Sequence, residues 1–229
     1  MKEKYEQLTT LEEKEGALSA SDFEILEKIS YDLDEGLRAN VARILVDSSG
    51  EQSRKFLFRL ANDTIALVRI EACDSLCNEV SEDTYELLKK KIQMDRNSLV
   101  RGYAVASLAD VGVDLGLTKE TERFLRNHSE KEIAIFTRIQ LYAALCLLGN
   151  SAFLDKLLAM LNTKNYSNRC ATIHSLVAIT SNVNVEEISN ALKERMKCEK
   201  THAVRSTIEN SLAKIGQSSQ YEILREVFI

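Results

Sequence analysis

The chain has 229 residues, 45% of them apolar, a net charge of −5 and a sequence pI near 5.4, which supplies ample material for a core and argues against a disordered chain. It contains eight Gly, no Pro and no Trp, so the usual punctuation of hairpins and β-turns is missing and helices joined by short polar turns are expected. The charged start "MKEKYEQLTTLEEKEG" is not a signal sequence and no run reaches the roughly 18 apolar residues that span a bilayer, so a cytoplasmic protein without a membrane segment is expected.

Residues 1–33 hold two helical patterns, "KEKYEQLTTLEEKE" and "SDFEILEKISYDLD", separated by "GALSA". Ser21 with Glu24 three residues on reads as a capping box. A degenerate helix pair of this kind suits the N-terminal cap of a stacked array.

From residue 34 onward one skeleton recurs. Arg38, Arg69, Arg101, Arg138, Arg169 and Arg205 stand at intervals of 31, 32, 37, 31 and 36 residues. Seven residues after each comes a leucine: Leu45, Leu76, Leu108, Leu145, Leu176 and Leu212. Three residues after each Arg lie Val41, Ala72, Ala104, Leu141, Thr172 and Ile208, so one buried stripe runs down each segment. Gly112, Gly149 and Gly216, four residues past their leucine, are expected to stop the helix in the left-handed conformation. A second amphipathic segment then follows in every copy: "RKFLFRLAN", "TYELLKKKI", "ETERFLRN", "FLDKLLAMLN", "VEEISNALKERM" and finally "YEILREVFI", with Phe228 partly buried. Asp63, Asp95, Glu132 and Glu199 lie six residues before their Arg and Asp34 four before; at the start of a helix they can accept orphan backbone N–H groups. Thr163 replaces the acid in the fifth copy, where its hydroxyl would serve as cap.

An acid, then Val-Arg, then Ala and Leu on one face, clearest in "LVRIEACDSL", "LVRGYAVASLADVG" and "AVRSTIENSLAKIG", resembles the HEAT family in its short bacterial form. The resemblance implies an all-α fold, a right-handed α-α superhelix of about seven helix pairs with the second helices on its concave side. The chain would form a single repeat domain over 1–229, with a capping pair at 1–33, repeats at 34–216 and a capping helix at 217–229. Neither the TPLH-type turn of ankyrin arrays nor the Trp/Tyr/Pro framework of tetratricopeptide arrays is present.

Catalytic motifs are missing. The chain holds no GxGxxG, GxxxxGK[ST], HExxH or GxSxG, and the His-Glu pairs of HEAT-like di-iron hydroxylases are absent. His128, His174 and His202 fall in different repeats, away from other ligands, so no metal, cofactor or catalytic residue is assigned. Five cysteines without a CxxC pair read as free, mostly buried thiols of a reducing compartment; Cys73 and Cys77, one turn apart, could be redox partners or could simply flank the core stripe. Residues 1–35 carry 4 Lys and 11 Asp/Glu, so the remainder holds only two more bases than acids, too few for a nucleic-acid footprint.

The second helices offer the candidate contact surface. Their early acids and late bases, among them the run Lys89, Lys90 and Lys91, follow the helix dipole, and stacking would gather the ends into two opposed ridges. On "SRKFLFRLAN" the stripe of Leu57, Leu60 and Ala61 turns Phe58 away from the core together with Arg54. Phe58 then either packs on the adjacent helix or forms an anchor for a protein partner, in a surface that continues through Tyr85, Lys89 and Arg126. The function expected is a non-catalytic protein-binding module or scaffold, in one version an antitoxin or immunity-type protein. The alternative is a HEAT-like enzyme, a DNA alkylation-repair glycosylase or a bilin lyase.

Overall fold

A computed structural model describes residues 2–48, 50–180, 183 and 185–227, with 217–227 as backbone only. They are all-helical, with thirteen α-helices and no strand among the described residues. Two compact units, Met1–Thr121 and Glu122–Ile229, divide the chain. The first holds α1 (Lys2–Glu12), α2 (Ala20–Ile29), α3 (Glu35–Ile44), α4 (Glu51–Leu60), α5 (Ala66–Ser75), α6 (Glu82–Met94) and α7 (Ser98–Asp114), and the unit boundary falls inside α8 (Thr118–Ser129). In the second are α9 (Ile135–Leu147), α10 (Leu154–Ala159), α11 (Tyr166–Ala178), α12 (Val185–Cys198) and α13 (His202–Val227).

The Arg-bearing helices stack on one another within each unit: α3 on α5 and α5 on α7 in the first, α9 on α11 and α11 on α13 in the second. Their contact is made by the repeated stripe. All six residues at Arg+3, from Val41 to Ile208, are fully buried, as are the leucines at Arg+7 from Leu45 to Leu176. Leu212 is only half-buried, and Ile208, Ser211 and Ile215 take the core face of α13 instead.

The glycines divide into two kinds. Gly149 has φ 92° and ends α9 as expected, with Asn150 N–H closing back on the Leu145 carbonyl at 2.9 Å. Gly112 is not a stop: it is buried inside α7, where a Cβ would come within 2.3 Å of Thr121 Oγ1, so its place in the sequence reflects close helix packing. The stop is Gly116, φ 73°, with Leu117 N–H bonded to the Gly112 carbonyl at 2.8 Å. Gly216 lies within α13, which runs on to Val227, so the expected last helix pair is one continuous helix. Glycine permits a left-handed stop without compelling it, at a cost in a helix interior of about 1 kcal/mol. Phe228 lies outside the described residues.

At the N-terminus the capping box is Ser19 with Asp22, not Ser21 with Glu24. Ser19 N–H donates to Asp22 Oδ2 at 2.7 Å and Asp22 N–H to Ser19 Oγ at 3.3 Å. Both pairs share the spacing; the side chain that reaches back is the one whose partner precedes the first helical turn.

Leu108→Ala is expected to cost about 2 to 5 kcal/mol in a urea titration, because the cavity it opens lies in the stacked stripe. Gly112→Ala should cost about 1 to 3 kcal/mol, since the new methyl meets the buried Thr121 side chain at Oγ1, Cβ and Cγ2.

Candidate functional site

The recurring arginines make the same contact each time they meet an acid. Arg38 donates from Nε and Nη2 to both carboxylate oxygens of Asp63, at 2.8 and 3.0 Å. Arg69 does the same to Asp95, at 2.8 and 2.9 Å, and Arg169 to Glu199, at 2.8 and 3.0 Å. Each acid belongs to the turn that opens the following repeat. The remaining nitrogen, Nη1, turns back to the chain's own turn: Arg38 to the carbonyls of Asp32 and Leu33, Arg69 to those of Asp63 and Thr64, Arg169 to those of Thr163 and Lys164. Arg101 Nη1 reaches the Asp95 and Arg96 carbonyls in the same way, at 3.0 and 3.4 Å.

The acid completes the link by accepting a backbone N–H two residues on. Asp63 receives Ile65 N–H at 2.8 Å, Asp95 receives Asn97 at 3.0 Å, Glu132 receives Ala134 at 2.8 Å and Glu199 receives Thr201 at 2.8 Å. The expectation that these acids cap the helix therefore needs correction. They hold the turn before it, and in the first Arg-marked repeat this place belongs to Asp32, which accepts Asp34 N–H at 2.9 Å. Asp34 is the true cap of α3, bonded to Gly36 and Leu37 N–H. Burial pushes the carboxyls of Asp63, Asp95 and Glu199 up, but the arginine and backbone donors outweigh it and all three stay below the usual carboxylate range.

A second cross-repeat contact runs from the late bases of the second helices. Arg59 donates to Ser30, covering the Tyr31 ring at 3.9 Å, Lys91 to Asn62 Oδ1 at 2.9 Å and Arg195 to Asn162 Oδ1 at 3.2 Å. The run Lys89 to Lys91 is accordingly no uniform basic patch: Lys90 is exposed, Lys89 pairs with Glu86 at 2.7 Å and Lys91 is buried.

The structure brings the sequence-predicted contact residues together only in part. Arg54 and Phe58 lie one turn apart on α4 and are both half-buried, with Leu57, Leu60 and Ala61 fully buried beneath. Tyr85 is a core residue, 2% exposed, its hydroxyl 3.0 Å from Thr121 Oγ1, because α6 turns that face toward α8; it cannot meet a partner. Lys89 lies over the Tyr85 ring at 5.2 Å. Arg126 is exposed in the second unit and pairs with Glu122 at 3.1 Å.

What the sequence reading missed is an apolar edge. In the first unit Leu33 (96% exposed), Tyr31 (64%) and Ile65 stand in the turns that join one repeat to the next, and Met94 (70%), Leu67 and Leu99 at the helix ends that border them. Leu33 and Leu67 line one groove with Asp32, Asp34 and Glu35. The available signal was the odd apolar residue inside an otherwise polar turn, as in "DLDE" and "NDTIAL".

Cys73 is fully buried and its thiol is pushed up to about 12 by that burial, which fits the core reading over a redox pair; of the thiols expected to be mostly buried, Cys73 and Cys146 are, Cys77 and Cys170 are half-buried and Cys198 is exposed. Among the described residues no group of three or more His, Cys, Asp or Glu side chains could hold a metal ion, and no helix is long and apolar enough to cross a membrane.

With this geometry in view, the family model for HEAT repeats matches residues 23–109. That stretch belongs to the HEAT-repeat family. The HEAT segment contains both complete Arg–Asp bridges of the first unit, Arg38 to Asp63 and Arg69 to Asp95. Two solved structures are similar to the chain. One is the complex of CpcE and CpcF of phycocyanin lyase from Nostoc sp. PCC7120, with 18% identity, TM-score 0.42, and coverage of 84% of this chain and 99% of that one. The other is human deoxyhypusine hydroxylase in complex with glycerol, with 16% identity, TM-score 0.42, and coverage of 94% and 96%. No curated protein matches the chain.

Asp95→Asn in this HEAT segment should cost about 3 to 5 kcal/mol, because it leaves the Arg69 guanidinium without its counter-charge in a largely buried place. The lowered carboxyls carry a sign: their contribution is complete above the unfolded carboxylate range near 4 and is lost as pH falls through the lower folded values. Stability measured by denaturant should therefore decline below about pH 4 in the native chain, and less steeply in Asp95→Asn.

Proposed function

We propose that this chain is a protein-binding module. The observation that carries the reading is the exposed apolar edge of the first unit, where Tyr31, Leu33, Ile65, Leu67, Met94 and Leu99 recur at successive turns. Exposed apolar side chains recurring in this way, with Leu33 and Leu67 lining one groove, are kept in water mainly where another protein covers them. The turns beneath have already used their backbone groups on the Arg–acid bridges, so a partner can dehydrate this edge without stranding those donors and acceptors. Acidic residues flank the same edge at its N-terminal end, where Asp34 and Glu35 stand beside Leu33 and residues 1–35 carry 11 acids against 4 lysines. A partner segment that combines Lys or Arg with aliphatic side chains is complementary to that end. Arg54 and Phe58 on α4 form a second, smaller contact in this reading, with Lys89 as a flanking charge rather than an anchor.

The test is a Leu33→Ser, Leu67→Ser double variant in capture from the cell of origin. Loss of the captured protein by tenfold or more, with a melting temperature within about 2 °C of the native chain, is the expected result. Undiminished capture by the double variant, with loss on Phe58→Ala, would move the contact to the second-helix face and sink the edge.

A further inference from the structure

One link of the Arg–acid series lacks its acid. In repeat register Thr163 faces Arg138 as Asp63 faces Arg38, Asp95 faces Arg69 and Glu199 faces Arg169. The Thr163 hydroxyl does not serve as the cap expected of it: its Oγ1 is buried without a hydrogen-bond partner. Arg138 has turned aside, donating from Nε and Nη2 to the Tyr142 hydroxyl at 3.1 and 2.8 Å. The Asn165 N–H, which corresponds to the N–H groups of Ile65, Asn97, Ala134 and Thr201, stands two residues after a threonine instead of an acid. On the carbonyl side the turn is as complete as in the other repeats, since Arg169 Nη1 holds the Thr163 and Lys164 carbonyls at 2.9 Å each. Only the acceptor is missing.

The surroundings are cationic. Lys156 Nζ lies 4.5 Å from the centre of the Phe153 ring and 5.9 Å from that of Tyr142, and the Arg138 guanidinium carbon lies 5.6 Å from the same Tyr142 ring. The two rings pack at 5.8 Å and are both buried, so they fix the positions from which the cations approach. Two positive charges thus share one aromatic floor beside a hydroxyl and a turn that, elsewhere in this chain, accompany a carboxylate.

We propose that this gap in the second unit is a carboxylate-binding site. A carboxylate from outside the chain takes the place of the missing acid and accepts from Arg138, Thr163 Oγ1 and the Asn165 N–H, while Lys156 supplies further positive charge. Arg138 leaves the Tyr142 hydroxyl to do so and adopts the bidentate arrangement of Arg38, Arg69 and Arg169. The geometry in those repeats selects a planar, two-oxygen acceptor over a spherical anion such as chloride. A free small carboxylate and the Asp or Glu side chain of a partner present the same chemistry. The site owes nothing to the apolar edge of the first unit and stands or falls apart from it.

The experiment is an amide NMR titration of the full ¹⁵N-labelled chain with sodium acetate, exchanged against sodium chloride at constant ionic strength, and with the blocked peptide acetyl-Ala-Glu-Ala-amide. The Asn165 signal is expected to move saturably with acetate and not with chloride. A matching response to the peptide shows that a partner's side chain can fill the site, and a response to acetate alone shows that it takes free carboxylates. Arg138→Gln should weaken the acetate response about tenfold or more, the loss of a charge-assisted bond. Thr163→Asp restores the acid within the chain; it should raise the melting temperature by about 2 to 4 °C and abolish the acetate response. An Asn165 signal that follows chloride as it follows acetate, an unchanged titration in Arg138→Gln, or a Thr163→Asp chain that melts lower and still responds to acetate would each overturn the proposal.

Discussion

Three repeats are each tied to the next by one guanidinium, that of Arg38, Arg69 or Arg169. Its fork meets a carboxylate in the following turn while its third nitrogen holds the carbonyls of its own turn, so a single side chain measures the distance between two turns. The carboxylate in turn holds the N–H that leads into the next helix. Buried ion pairs contribute little net stability against a hydrophobic alternative, because desolvation offsets attraction. Their value here is positional. A planar fork against a planar carboxylate tolerates little slip, so the leucines and small residues of the stripe arrive in register with those of the neighbouring helix.

That link also shapes the surface. A turn normally exposes its backbone to water because its polar groups have no partner inside the fold. Here arginine and acid satisfy those groups, and the side chains at the outer tips are released from the requirement to be polar. Leu33 stands almost fully in solvent in a turn whose backbone is already bonded, and Met94 is largely exposed at the end of α6 beside another. Where the acid is lost, at Thr163, the buried hydroxyl is left without a partner and Arg138 turns to the Tyr142 hydroxyl instead. The same repeating device therefore accounts for an apolar edge in one unit and a polar gap in the other.

Much of this was legible before any coordinates. The buried stripe at Arg+3 and Arg+7 follows from helical geometry, since residues three, four and seven apart share a face. The second helices from α4 to α12 lie where their amphipathic patterns put them. Gly112 misled because a glycine at a helix end and a glycine under a close neighbour look alike in one dimension, and Gly216, with open space around it, because glycine permits a stop without compelling it. Tyr85 misled for a related reason: amphipathic spacing tells which residues share a face but not which neighbour that face will meet, and α6 presents it to Thr121.

The amino-acid sequence by itself determined the helices, their number within one of the expected pairs, the residues of the core stripe and the resemblance to HEAT repeats, because all of these depend on contacts within a few turns of the same chain. The tertiary structure alone decided what the recurring arginines do. Their partners lie 25 to 30 residues away, in the next turn, and a charge that reads as a local helix cap in sequence becomes a bridge only when stacking brings that turn within hydrogen-bond reach. It likewise decided which apolar residues remain in solvent and where a buried hydroxyl is left without a partner, since exposure and orphaned polar atoms are properties of the packed array and not of any segment within it.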